Sequence, residues 1–127
     1  MNEAAGAAGA KGDTGAPGTA RAYAYMDSPG TDPCDLLAAE TKNFTACSRP
    51  STGVYCLSPA AGIDPNSSPA FVTVEWGSSG GNSLAVFVED TNQFGSTDDC
   101  GTTRYEVQTY DFTGAASDNV AFNILVP

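Results

Sequence analysis

Histidine is absent from all 127 residues, so a serine nucleophile would lack an imidazole base and a zinc site would lack a nitrogen ligand. Basic residues are scarce, five against 15 acids, and the formal net charge is −10. That balance excludes nucleic acid and anionic membrane as favoured partners, since both would be repelled, and leaves divalent cations and basic surfaces. No apolar run approaches the roughly 20 residues that a membrane helix needs, so a membrane-embedded chain is not expected. The opening MNEAAG carries an acid where an export signal has bases, and no apolar stretch follows.

What is present begins with glycine. Gly6, Gly9, Gly12, Gly15 and Gly18 fall on every third position, giving five Gly-X-Y triplets. Three chains share one close-packed axis only where the residue facing it has no side chain, so this period reads as a collagen triple helix. Lys11 and Asp13 suit charge pairing between staggered chains, which a flexible linker would not need, and the triplet grammar accounts for Lys11-Gly-Asp13. The phase breaks at Glu3, and Pro17 is the single proline in the run. Fifteen such residues span only about 45 Å. We read residues 1–20 as the end of a longer stalk and 21–127 as a folded head that holds three chains in register.

After Ala20 the pattern is that of strands. Arg21–Met26 alternates, with Tyr23 and Tyr25 on one face. Phe44–Ser48 and Val54–Leu57 flank the turn cluster Arg49–Gly53 and predict a hairpin. Further strands are expected at Ala70–Trp76, Leu84–Val88, Tyr105–Phe112 and Val120–Val126, with the nearly all-apolar Leu84–Val88 buried on both faces or central. Strands at this spacing, separated by Gly/Pro/Asn/Asp/Ser loops, predict an all-β sandwich or jelly roll. Asp32–Glu40, with a capping Asp and Pro33 just inside, predicts one or two helical turns.

Cys34, Cys47, Cys56 and Cys100 form an even set without a C-x-x-C pair, and two disulfides in an oxidising compartment are expected. A symmetric turn at Pro50–Gly53 would set Cys47 opposite Cys56 and allow a cross-strand bridge. The alternative joins Cys56 to Cys100 and Cys34 to Cys47. It is favoured because it closes the longer loop and anchors the Asp90–Thr103 excursion.

The glycine run resembles the collagen-like surface and secreted proteins of bacteria, which carry Gly-X-Y stalks and end in a β-rich head. Arg49–Cys56, Phe71–Trp76 and Val120–Pro127 are similar to C-terminal domains that follow such stalks. The resemblance implies a trimerising head and no assigned activity, and it adds weight to the pairing of Cys56 with Cys100.

Catalytic patterns are thin. Gly77–Gly81 fits G-x-S-x-G with Ser79 at its centre, but a Ser/Gly loop between strands explains it without chemistry. Glu75, Glu89, Asp90 and Glu106 supply carboxylates for glycoside hydrolysis, yet the alternation turns Glu75 away from Val72, Val74 and Trp76. Calcium would find oxygen donors at Asp90, Asn92, Asp98 and Asp99, and at Asp64 with Asn66, though without EF-hand spacing. Asn43 and Asn66 head glycosylation sequons. Trp76, Tyr23, Tyr25, Tyr55, Tyr105 and Tyr110 could stack on a sugar, but strand aromatics usually pack. No firm metal site and no cofactor are expected. The reading is a non-enzymatic extracellular or cell-surface structural protein whose head drives homotrimer, or wider fibre, assembly. The alternative is an adhesin head binding a surface ligand, through calcium or a glycan.

Overall fold

The computed structural model describes residues 20–27, 34–79, 85–89 and 100–127. The axial glycines Gly6, Gly9, Gly12, Gly15 and Gly18 lie outside these residues. So do the calcium candidates Asp90, Asn92, Asp98 and Asp99 and the capping Asp32.

Alternating sequence becomes seven strands among the described residues: β1 (Ala22–Met26), β2 (Phe44–Ser51), β3 (Val54–Pro59), β4 (Phe71–Glu75), β5 (Ala85–Glu89), β6 (Tyr105–Tyr110) and β7 (Ala121–Val126). They form two antiparallel sheets, ordered β1-β7-β4 and β2-β3-β6-β5. The all-β sandwich is therefore the fold. Ala22, Ala24, Met26, Phe122, Ile124 and Val126 from the first sheet pack against Phe44, Tyr55, Leu57, Tyr105 and Val107 from the second. Tyr55 meets Phe122 edge-on across the core, with ring centres 5.4 Å apart. Each such fully buried side chain contributes about 1.5–3 kcal/mol of transfer free energy.

Three local expectations need correction. The helix shrinks to a single 3-10 turn, Ala38–Glu40. Residues before it are held extended against β1, since Leu37 N–H donates to Tyr25 O and Asp27 N–H to Asp35 O. Helical geometry cannot start until those bonds end. β5 stands at the end of its sheet beside β6 and is not central. A run of apolar residues fixes burial preference, and says nothing about which strands flank it.

The third correction is register. β2 runs on through Arg49 and Pro50 to Ser51, so the hairpin closes on Thr52 and Gly53 alone. A bulge between Ser48 and Ser51 places Cys47 opposite Leu57 and Ser48 opposite Cys56. Gly53 takes φ +71. Asp118, 65 residues on, grips this turn: its Oδ1 accepts Gly53 N–H at 2.6 Å and its Oδ2 pairs with Arg49.

Candidate functional site

Because side chains alternate across a strand, one register decides which residues the β1-β7-β4 sheet turns outward. Tyr23 stands opposite Leu125, and Leu125 opposite Phe71. All three are exposed, at 40%, 42% and 63%. They form an apolar cross-strand row at the end of the sheet where β1 enters and β7 leaves. The sequence held a signal for it. Ile124, Leu125 and Val126 are apolar in succession, so on a strand with one buried face the middle one must point outward. Thr73 and Glu75 likewise set the outward phase of β4 and carry Phe71 with them.

The next outward row is polar: Tyr25 opposite Asn123, and Asn123 opposite Thr73. It leads into a cleft of about 250 Å³ lined by Tyr25, Glu40, Glu75, Ser78 and Asn123. Glu75 organises this end. Its carboxylate accepts N–H bonds from Ser78 at 2.7 Å and Gly77 at 3.0 Å, and a longer one from the Tyr25 hydroxyl at 3.3 Å. The Ser78 bond above all, then that of Gly77, holds the Glu75 carboxyl below its ordinary value. Burial lifts the Tyr25 hydroxyl above its own, against the opposing bond to Ser78. Glu40 was not foreseen; nothing in the Leu-Ala-Ala-Glu run marks it as facing a neighbouring sheet.

Ser79 serves the backbone. Its hydroxyl donates to Glu75 O at 2.6 Å and accepts Ala121 N–H at 3.0 Å, which staples the turn after β4 to the start of β7. Trp76 falls just past the end of β4 and is 65% exposed, so it leaves the face shared by Val72 and Val74.

A second cleft, of about 370 Å³, opens beside the point where the chain enters the head. Ala20, Arg21, Lys42, Asn43 and Ala60–Ile63 line it. Asn43 adopts φ +59, a left-handed conformation that Asn tolerates better than most residues. Its side-chain amide donates to Arg21 O at 2.7 Å, while its main-chain carbonyl accepts Ala60 N–H at 2.8 Å. These bonds hold one wall of the cleft. The side-chain amide of Asn66 in the other sequon is likewise engaged, by Thr102 O. Asp64 accepts Asn66 N–H in a local turn.

On the outer face of the four-stranded sheet, Glu106 is buried and receives Gln108 Nε2 at 2.5 Å, and Gln108 Oε1 receives the Tyr110 hydroxyl at 2.6 Å. Glu89 occupies the register position opposite Glu106. Glu75 belongs to the other sheet, so the described carboxylates considered for glycoside hydrolysis, Glu75, Glu89 and Glu106, are divided between two sheets, and Asp90 lies outside the described residues. The aromatic platform is divided too. Tyr55 and Tyr105 are core, Tyr105 giving its hydroxyl to Ser68 O, while Tyr23 and Tyr25 share the outer face of the first sheet. Among the described residues no group of three or more His, Cys, Asp or Glu side chains is placed to hold a metal ion.

All four cysteines are paired. Cys34 bonds Cys47, with Cα atoms 5.7 Å apart, and Cys56 bonds Cys100, at 5.3 Å. The first packs against the core rim; the second is buried on the opposite side of the same sheet. Arg104 braces it, donating through Nε to Cys100 O at 2.7 Å and reaching Ser48 Oγ through Nη1 at 3.4 Å. Two disulfides place the folded chain outside a reducing cytoplasm. No helix among the described residues is long and apolar enough to cross a membrane. No protein-family model, curated protein or solved structure matches this chain.

Proposed function

We propose that this chain is a non-enzymatic extracellular structural protein, a collagen-like stalk whose β-sandwich head assembles as a homotrimer and sets the register of the triple helix. The observation that carries the reading is the in-phase run Gly6–Gly18, whose last triplet ends at Ala20, directly before the head at residue 21. Five triplets with one proline are too few to hold three chains together unaided. Heads that associate would bring three stubs to roughly millimolar effective concentration and offset the entropy of zipping. The exposed Tyr23–Leu125–Phe71 row supports an associating head, since a sheet face carrying such a row gains by being covered. Native mass spectrometry of the full chain beside a form starting at Thr19 tests the reading. A trimer in both is expected; monomers in both would overturn it.

A second reading, a ligand-binding head, is favoured by the cleft of Tyr25, Glu40, Glu75, Ser78 and Asn123, whose hydroxyl, carboxylate and amide groups suit a glycan or calcium. Thermal stabilisation by calcium or by a sugar panel would support it. The structural reading expects no response to either.

A further inference from the structure

We infer that the three heads meet head to tail, the Tyr23–Leu125–Phe71 row of one copy seating in the Lys42–Ala61–Ile63 cleft of the next. The inference rests on the homotrimer reading and names its contact. Gly18 is two residues from Ala20, so the Cα atoms of the two lie within about 7–8 Å whatever the path between them. Three chains meeting at a triple-helix axis therefore bring three copies of Ala20 close to that axis. Whatever surfaces flank Ala20 are then the ones that face a neighbouring copy.

Two surfaces flank it, and they are unlike. The cleft is lined by Ala20 itself, by Arg21 and Lys42, and by the small and apolar residues Ala60, Ala61 and Ile63. The row lies on the other side of the same strand: Arg21 N–H donates to Val126 O, and Tyr23 stands opposite Leu125 two residues further on. A closed three-fold ring needs two different patches, one meeting the other around the ring, because a self-complementary patch closes at two copies. An exposed apolar row and a concave cleft on either side of the chain entry meet that requirement.

Charge points the same way. Each copy carries a net −10, so copies repel over most of their surface. The row holds no ionisable group other than the Tyr23 phenol, and the residues lining the cleft include two of the chain's five bases and no acid. This is a part of the surface where two acidic copies can approach with least repulsion. The acidic cleft around Glu75 and Glu40 lies toward the opposite end of the sheet, beyond the Tyr25–Asn123–Thr73 row.

The test uses the full chain and native mass spectrometry on three variants: Phe71→Asp and Leu125→Gln on the row, and Ala61→Arg in the cleft. All three positions are exposed, and intact disulfides with a single cooperative thermal unfolding transition would certify the fold of each variant. The wild type is expected as a trimer and each variant as a monomer, with the trimer signal reduced at least tenfold. Mixing Phe71→Asp with Ala61→Arg should yield a heterodimer, because the first still offers a cleft and the second a row. A trimeric wild type with variants that also remain trimeric would overturn the contact and leave the homotrimer reading standing. Monomeric variants that form no heterodimer would overturn the head-to-tail geometry. A monomeric wild type would overturn both the contact and the reading on which it rests.

Discussion

Ser48 on β2 stands directly opposite Cys56 on β3, and Cys47 stands opposite Leu57. One residue of slip puts Cys47 and Cys56 on opposite faces of the sheet, since side chains alternate along a strand. This is why each cysteine finds its partner elsewhere, Cys47 in Cys34 at the core rim and Cys56 in Cys100 on the outer face.

The register can be checked with thiols. In a Cys34→Ala/Cys100→Ala variant the two remaining cysteines face apart, and two titratable thiols per folded chain are expected after mild oxidation. A single Cys47–Cys56 bridge, seen by non-reducing peptide mapping, would show that the bulge between Ser48 and Ser51 is not there.

The hairpin turn offers a paired comparison of glycines. A Cβ at Gly53 would sit 2.5 Å from Thr109 O and 3.0 Å from Ser117 N, on a backbone at φ +71. Gly62 has φ +93 but nothing within 4 Å of where its Cβ would be. Gly53→Ala should therefore lose about 2–3 kcal/mol, strain and collision together, while Gly62→Ala loses only about 1 kcal/mol. Urea unfolding of the two variants measures this; equal losses would remove the collision from the account.

Much of this architecture is legible in the sequence, and the rest fails for identifiable reasons. Alternation in Phe71–Glu75 and Ala121–Val126, with turn residues between, marks strands and their faces. It does not say that β4 and β1 both flank β7, because a period of two carries no information about neighbours. The bulge near Arg49 and Pro50 is invisible locally, for the turn is gripped by Asp118, far along the chain. Phe71 and Leu125 were readable as outward apolar residues from their own strands, yet their alignment in one row needed the register. Glu40 enters its cleft only because the segment before it is drawn out along β1.

Ser79 distinguishes a staple from a nucleophile. Its hydroxyl accepts the N–H of Ala121, a fully buried residue, and donates to Glu75 O. Ser79→Ala leaves that N–H without its acceptor, and a loss of about 1–2 kcal/mol is expected in chemical denaturation. Ser78→Ala, which removes an acceptor of the Tyr25 hydroxyl, should cost less, because Tyr25 retains Glu75. Covalent labelling of Ser79 by a fluorophosphonate probe would contradict the staple.

Acid should loosen the same corner in a defined window. The Glu75 carboxyl sits below its ordinary 4.5 because Ser78 and Gly77 N–H groups bond its charged form. Asp111 sits below its ordinary 3.8, chiefly through the Thr113 hydroxyl, with Ala115 N–H assisting. For a carboxyl whose value falls on folding, the stabilisation is complete above the unfolded value and vanishes as pH drops through the folded one. The Glu75 contribution is thus complete above 4.5 and lost as pH falls below it, and that of Asp111 is complete above 3.8 and lost as pH falls below it. Thermal unfolding followed from about pH 7 down to about pH 2.5 should show Tm falling in that range. Glu75→Gln should start lower at neutral pH and fall less steeply on acidification, with the double variant Glu75→Gln/Asp111→Asn flatter again. Parallel curves for all three proteins would mean that these carboxylates are not bonded more strongly in the folded chain than in the unfolded one.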